Sequence, residues 1–292
     1  MNDAEKKILA STMEWYDAIG IDEMLDDTAS SRLNKPANDP PAFTDSMPDI
    51  PNRTAPPARP ATVTNMQTPE PLAGAQQAKQ DAINAAQAAN SLDELREAIA
   101  NFEGLSVKKT ATNMVFCDGH AEAPVMLIGE APGADEDRKG RPFVGESGQL
   151  LDRMLNWIGI NRHDEDPAKS IYISNILNWR PPGNRTPTDA EIEIARPFIE
   201  KHILLKKPRL LILTGGIATK TLLGESAGIS RLRGKWHEYG IQTKELLNGE
   251  SAPQIKALAT YHPAYLLRNP LQKKAVWGDM LLFQKEHRSI FG

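Results

Sequence analysis

The chain has 292 residues, 40% of them hydrophobic and 25% charged, and a formal net charge of -4. This length suits one large domain with additional material, or two small ones. A single cysteine excludes an intrachain disulfide and any zinc or iron–sulfur site that needs four thiolates from the chain. The sequence has no long apolar run and no secretion signal at its start, so we expect a cytoplasmic protein without a membrane span.

An acidic, proline-rich extension forms the first part of the chain. Residues 1–91 hold 13 Asp/Glu against 7 Lys/Arg, and ten of the 22 prolines lie between Ser31 and Pro71. A segment of this composition cannot bury enough apolar surface to offset the chain entropy lost on folding, so we interpret residues 31–73 as a disordered linker. Residues 1–30 are interpreted as a helical segment, because apolar side chains between Glu5 and Ile19 have helical spacing. That segment either packs on the rest of the chain or binds a partner protein.

Strands and helices alternate through residues 74–292, which we interpret as one catalytic domain. An Ala/Gln-rich helix over 74–89 precedes a second helix that begins after Ser91 and ends near Phe102. Strands are predicted at 125–129, 171–177, 210–214 and 258–261, and further helices at 148–158, 189–205, 218–223 and 271–287. This alternation predicts an α/β fold with a parallel sheet, whose ligands bind at the carboxyl ends of the strands.

Residues suited to binding or catalysis follow these strands. A Gly/Pro loop after the first strand carries Glu130, Glu136 and Phe143, and Asn175 ends the second. Asn175 can offer a donor and an acceptor together, as the edge of a nucleobase requires. The fourth strand ends at His262, which Pro263 holds in an extended conformation. We therefore expect a site of carboxylates, an aromatic ring, an amide and an imidazole.

Basic loops lie near the same edge. Arg180 and Arg185 flank a rigid Pro-Pro-Gly-Asn turn, and their guanidinium groups are candidates for phosphate contacts. Arg233 lies in a second basic loop, of a kind that is more often solvated surface. No metal-ligand spacing, nucleophile-elbow serine or nucleotide-binding glycine motif is present, so we predict no metal site.

Together these motifs resemble the family 4 uracil-DNA glycosylases. The resemblance covers GEAPG at 129–133, PFVG at 142–145, Asn175, RPPGNRTP at 180–187 and HPAYLLR at 262–268. It implies a three-layer α/β/α sandwich around a four-stranded parallel sheet, and a DNA repair enzyme that flips uracil out of DNA and hydrolyses its N-glycosidic bond. No lysine lies in the matched motifs to form a Schiff base, so we expect a monofunctional enzyme, acting as a monomer in the cytoplasm and at the nucleoid.

The resemblance also assigns roles to individual residues. Phe143 would stack on the uracil, Asn175 would bind its Watson–Crick edge, and the backbone of Gly129, Glu130 and Ala131 would lie against it. Glu136, together with Glu130, would orient water or stabilise the positive sugar, and His262 would donate to the departing base. The DNA contacts would come from Arg180, Arg185, Arg233, Leu266, Leu267 and Arg268, of which Leu266, Leu267 and Arg268 would wedge into the base stack.

One departure from the family is systematic. Family 4 members commonly hold a 4Fe–4S cluster on four cysteines, and the matching positions here are Phe102, Leu105, Trp179 and Ala195. Cys117 matches none of them. We expect no cluster, with apolar packing in its place.

Other functions remain open at this stage. The chain could be a catalytically weak module that binds uracil-containing DNA, or a glycosylase with a preference shifted to hypoxanthine or xanthine. Its N-terminal segment could recruit a repair or replication protein.

Overall fold

The structure is a computed structural model that describes residues 73–291. The predicted segment 1–30, and the predicted linker 31–73 except for its last residue, lie outside the described residues. The helices are α1 (Ala73–Ala88), α2 (Leu92–Asn101), α3 (Ala134–Lys139), α4 (Glu146–Trp157), α5 (Asp189–Lys206), α6 (Gly216–Leu223), α7 (Ile229–Leu232), α8 (Pro263–Arg268) and α9 (Lys273–Phe291). The strands are β1 (Asp118–Gly119), β2 (Val125–Gly129), β3 (Tyr172–Asn175), β4 (Leu210–Thr214), β5 (Trp236–Tyr239) and β6 (Ile255–Thr260).

A single mixed sheet of six strands lies at the centre, in the order β1-β3-β2-β4-β6-β5. The four inner strands are parallel, as predicted. Two short antiparallel strands, β1 and β5, extend its edges. Neither was predicted, because β1 has only two residues and β5 lacks the largely buried apolar run that marks the inner strands. The chain turns from one side of β2 to the other after β3, and such a reversal opens a crevice at the carboxyl ends of the strands.

Helices cover both faces of the sheet, which confirms the three-layer fold. Alternate side chains of β2 point to opposite faces, with Met126 and Ile128 in one core cluster and Val125 and Leu127 in the other. Helices α1, α2, α5 and α6 supply the first cluster, and α4, α8 and α9 supply the second. All five residues of β2 and of β4 are buried, as strands covered on both faces must be.

Local signals explain where several helices begin. Ser91 Oγ accepts a hydrogen bond from the Glu94 N–H at 3.1 Å, so α2 starts where the sequence predicts. Thr188 and Glu191 form a capping box at the start of α5. His262 adopts the predicted extended conformation before Pro263, which occupies the first turn of α8. Within residues 73–291 no helix is long and apolar enough to cross a membrane.

Candidate functional site

The loops that follow the inner strands meet around a cavity of about 440 Å³. Five residues expected to form the binding and catalytic centre line it: Glu130, Glu136, Phe143, Asn175 and His262. The predicted Ala131, Arg185 and Arg268 also line the cavity, as do Ser147, Thr186 and Tyr265, which the sequence analysis did not select. The parallel sheet therefore brings residues that are up to 138 positions apart in the sequence, Glu130 and Arg268, into one pocket.

The ring of Phe143 forms one wall of this cavity. Phe143 is 4% exposed, and its ring centroid lies 5.4 Å from that of His262. A side chain at Gly129 would place its Cβ 2.6 Å from Phe143 Cζ and 2.4 Å from Asn175 Oδ1. Only glycine therefore allows the ring and the amide to meet over the end of β2.

The side-chain amide of Asn175 is buried without a protein partner. Asn175 is 2% exposed and pairs with Gly129 in the sheet, and its side chain makes no hydrogen bond with any residue in 73–291. Asn175 lines the cavity, so its amide oxygen and NH2 group can pair there with a ligand that offers both a donor and an acceptor. The backbone behind it is fixed, because Ile176 N–H donates to Gly129 O at 2.9 Å.

His262 is a neutral hydrogen-bond donor. Burial, with a smaller contribution from Arg268, lowers the pKa of the imidazole to about 4. Its Nδ1 lies 3.2 Å from the Ala264 backbone nitrogen, whose N–H donates to it. In a neutral imidazole that accepts through Nδ1, the proton is on Nε2. The ring can therefore donate a hydrogen bond from Nε2 at neutral pH.

The two glutamates differ in their surroundings. Glu136 accepts hydrogen bonds from Val144 N–H and Gly145 N–H through Oε1, at 2.9 and 2.8 Å, and from Gly133 N–H through Oε2 at 3.1 Å. It thus holds two loops together. The Glu130 carboxylate makes no hydrogen bond or ion pair with any described residue, and burial raises its pKa. Glu130 is the carboxylate whose oxygens are available in the cavity.

Intramolecular partners hold the three arginines of the basic loops. Arg185 forms two hydrogen bonds with Glu191, at 2.6 and 2.8 Å. Arg180 donates from Nε to Asn184 Oδ1 at 2.6 Å. Arg233 lies outside the cavity lining and binds the buried Asp279. That pairing gives Arg233 a structural role and does not favour the predicted DNA contact.

The predicted wedge HPAYLLR is only partly at the surface. Leu266 is 0% exposed and packs in the core, so it cannot insert into a base stack as predicted. Leu267 is half-buried and Arg268 is exposed at the cavity rim. Leu271, three residues beyond Arg268, is 89% exposed. It is the more exposed of the two large hydrophobic side chains that lie at the surface among the described residues. The sequence analysis missed it; its position directly after Pro270 is the signal that could have identified it.

The four positions that match cluster ligands are apolar, and they lie in or against one of the two core clusters. Leu105, Trp179 and Ala195 are buried in the cluster beside α5, and Phe102 packs against it. The Phe102 ring meets Phe198 edge-on at 5.1 Å, and Lys108 Nζ lies 5.9 Å from the centre of the Trp179 ring. None of these side chains can ligate iron, so the residues present do not fit a 4Fe–4S cluster. Among residues 73–291 no group of three or more His, Cys, Asp or Glu side chains is arranged to hold a metal ion.

Comparisons with known proteins identify the family of this chain. The family model of the uracil DNA glycosylase superfamily matches residues 116–281. A protein of Pyrobaculum aerophilum named type-4 uracil-DNA glycosylase is 37% identical over 205 residues, covering 69% of this chain and 93% of the relative. The protein of that name from Archaeoglobus fulgidus is 36% identical over 193 residues, 65% of this chain and 89% of the relative. The order of the motifs, the fold and these matches together show that the chain belongs to the uracil DNA glycosylase superfamily and to its type-4 branch.

Proposed function

We propose that the protein is a monofunctional uracil-DNA glycosylase of base-excision repair, which removes uracil from DNA by hydrolysing the N-glycosidic bond. The observation that carries this proposal is the buried amide of Asn175, which lies without a protein partner in a cavity that it shares with the Phe143 ring and His262. A flipped pyrimidine offers the matching groups, namely a flat face for the ring and a donor and an acceptor on its Watson–Crick edge.

Each side chain then has a separate task. Phe143 stacks on the base and returns part of the unstacking energy, about 1–3 kcal/mol per stacked base. Asn175 selects the base through its Watson–Crick edge, against the backbone of Gly129, Glu130 and Ala131. His262 donates from Nε2 to the carbonyl oxygen on which negative charge develops as the bond breaks. Because His262 is neutral, it stabilises the leaving base without transferring a proton to it.

The opposite charge develops on the sugar, and we assign its stabilisation to Glu130. The carboxylate of Glu130 has no partner in the described part of the chain, whereas Glu136 is occupied by three backbone N–H groups. The sequence prediction ranked Glu136 first for this role, and the hydrogen bonds favour Glu130. In the ionised state, Glu130 can also orient the attacking water, while Glu136 shapes the loop beneath it.

The remaining parts of the proposal concern assembly and cofactors. The enzyme acts without a 4Fe–4S cluster, supported by the apolar side chains at the four matching positions. It acts on DNA as a monomer in the cytoplasm, associated with the nucleoid, and residues 1–30 recruit a repair or replication protein. Arg180, Arg185, Leu267 and Arg268 contact the DNA; Arg185 and Arg268 line the cavity, and Arg180 and Leu267 are their neighbours on the same two segments, next to the lining residues Pro181 and Arg268.

The direct test is cleavage of a labelled oligonucleotide. A strand with a single uracil is incubated with the protein and then treated with alkali, which breaks the chain at the abasic site. We expect cleavage after alkali and an intact strand without it, since no lyase step takes place. Hypoxanthine and xanthine, in paired and unpaired contexts, measure base preference. An intact uracil strand after alkali at high enzyme excess would disprove the function.

A further inference from the structure

The peptide unit that joins Phe143 to Val144 is held from both ends. Phe143 has φ +53°, a left-handed backbone conformation that a bulky L-residue rarely adopts and that costs about 1–2 kcal/mol. Arg162 donates to Phe143 O at 2.9 Å, and the N–H of the same peptide, on Val144, donates to Glu136 at 2.9 Å. Such a conformation persists only where its surroundings impose it.

Arg162 is itself fixed on every side. Its side chain is 3% exposed and lies between two carboxylates, with Nη1 3.0 Å from Asp118 Oδ2 and Nε 2.8 Å from Asp152 Oδ1. Nη1 also donates to Pro142 O at 3.1 Å. A buried arginine whose charge is balanced by two acids is a rigid donor, because its planar fork presents several N–H groups in a set geometry.

We infer that Arg162 is a positioning residue for the stacking ring, and that Asp118 and Asp152 serve to hold its guanidinium. Arg162 does not line the cavity, and it acts through Phe143 alone. By donating to the carbonyl oxygens of Pro142 and Phe143, on both sides of the Phe143 Cα, it holds the Phe143 backbone in the left-handed conformation. The ring is thereby kept against Gly129 and His262. Gly148 is part of the same arrangement, because a Cβ there would lie 2.0 Å from Phe143 O. This inference rests on the proposed function, in which Phe143 stacks on the base.

A double-mutant cycle tests it. Arg162→Lys keeps the positive charge between the two acids and loses the fork that reaches both carbonyls. We expect it to lower kcat/KM for uracil-containing DNA about tenfold to a hundredfold, the factor that matches loss of a charge-assisted hydrogen bond. In a Phe143→Ala background, where no ring remains to be positioned, the same change should lower kcat/KM by less than about twofold. Equal factors in the two backgrounds would overturn the inference.

A control variant and a substitute variant separate a positioning role of Arg162 from general destabilisation. Glu200→Gln is the matched control, since Glu200 is a buried carboxylate that accepts from Gln242 N–H and Thr243 N–H away from the cavity; it should lower Tm with no coupling to Phe143. If Arg162→Lys does not fold, Asp152→Asn takes its place in the cycle, with a loss of several-fold expected only when Phe143 is present.

A crystal structure of the variant gives a readout that is independent of activity. We expect φ of Phe143 to leave the left-handed region in Arg162→Lys, and an unchanged φ would contradict the inference. Absence of activity in the unmodified protein would instead disprove the proposed function, so the two failures are distinguishable.

Discussion

The Ala264 backbone N–H donates to His262 Nδ1 at 3.2 Å, and this one bond decides which nitrogen of the ring carries the proton. His262→Ala removes the Nε2 donor, so we expect kcat to fall by about 10²–10³, the usual loss for one donor at a developing oxyanion. His262→Gln, which keeps a donor of similar reach, should recover part of this loss. Single-turnover kinetics on uracil-containing DNA measures both, and full activity of His262→Ala would refute the assigned role.

Substitution of Glu130 and substitution of Glu136 should have different effects on activity and stability. Glu130→Gln removes a half-buried carboxylate that has no partner among the described residues, so we expect kcat to fall by about 10²–10⁴ while Tm stays unchanged or rises. Glu136→Gln keeps one oxygen for Val144 N–H and Gly145 N–H but turns an NH2 group toward Gly133 N–H, which loses its acceptor, so Tm should fall as well as activity. Thermal melts and single-turnover rates on both variants make the comparison. A larger loss of kcat in Glu136→Gln at unchanged Tm would return the sugar-facing role to Glu136.

The pH profile should show one acidic limb. Burial raises the pKa of Glu130 above its ordinary value of 4.5, and the carboxylate must be ionised to stabilise the sugar. Activity is therefore complete above the raised pKa and is lost as the pH falls through it. His262 titrates lower, at about 4, and stays neutral through this limb. A plot of log kcat against pH should lack the acidic limb in Glu130→Gln. If the limb persists in that variant, another group causes it.

Stability should also decline in acid, because His202 is buried as a neutral ring. Burial, together with nearby Lys206, lowers its pKa to about 3, and Tyr172 Oη lies 2.8 Å from Nε2. The unfolded chain binds a proton near pH 6.5 and the folded chain does not, so stability falls with pH below 6.5. The loss reaches about 2 kcal/mol at pH 5. Tm measured from pH 7 to pH 5 should fall less steeply in His202→Gln, and an unchanged slope would exclude His202 as the cause.

Leu271 should matter for duplex DNA alone. Its side chain is 89% exposed, three residues beyond the cavity-lining Arg268, and we expect it to enter the space that a flipped base leaves. We expect Leu271→Ala to lower kcat/KM on double-stranded uracil substrates about tenfold and to leave single-stranded substrates unchanged. Leu281→Ala, at the other exposed large hydrophobic side chain of the described region, is the control and should affect neither. Equal losses on both substrates would show that Leu271 acts on folding or on general affinity.

Much of the site could be predicted because it follows from the order of the strands. Parallel strands place their carboxyl ends at one edge, so Glu130, Asn175 and His262 had to lie close together once the sheet was recognised. The partners of each side chain could not be predicted in the same way. That Glu136 is bound by Val144 and Gly145, or that Arg162 reaches Phe143, depends on loop conformations for which the sequence holds no periodic signal.

In the predicted wedge HPAYLLR, the sequence likewise does not determine which side chains of the helix are buried. HPAYLLR contains two adjacent leucines, and on a helix neighbouring positions face in different directions. Leu266 therefore enters the core while Leu267 stays half-buried, a choice set by how α8 lies against α4. The edge strand β1 was missed because it has two residues. The edge strand β5 was missed because it is only partly buried, whereas β3, also of four residues, is buried throughout.

The pairing of Arg185 with Glu191 has a consequence for how this enzyme searches a genome. Binding to DNA releases one condensed counterion for each phosphate that a free cation neutralises, and the affinity then falls with salt in proportion to that number. Two arginines line the cavity; Arg185 shares its charge with Glu191, and Arg268 has no carboxylate partner among the described residues. We therefore expect the mouth of the pocket to add little to the affinity for undamaged DNA, and the protein to be retained where a base enters the cavity.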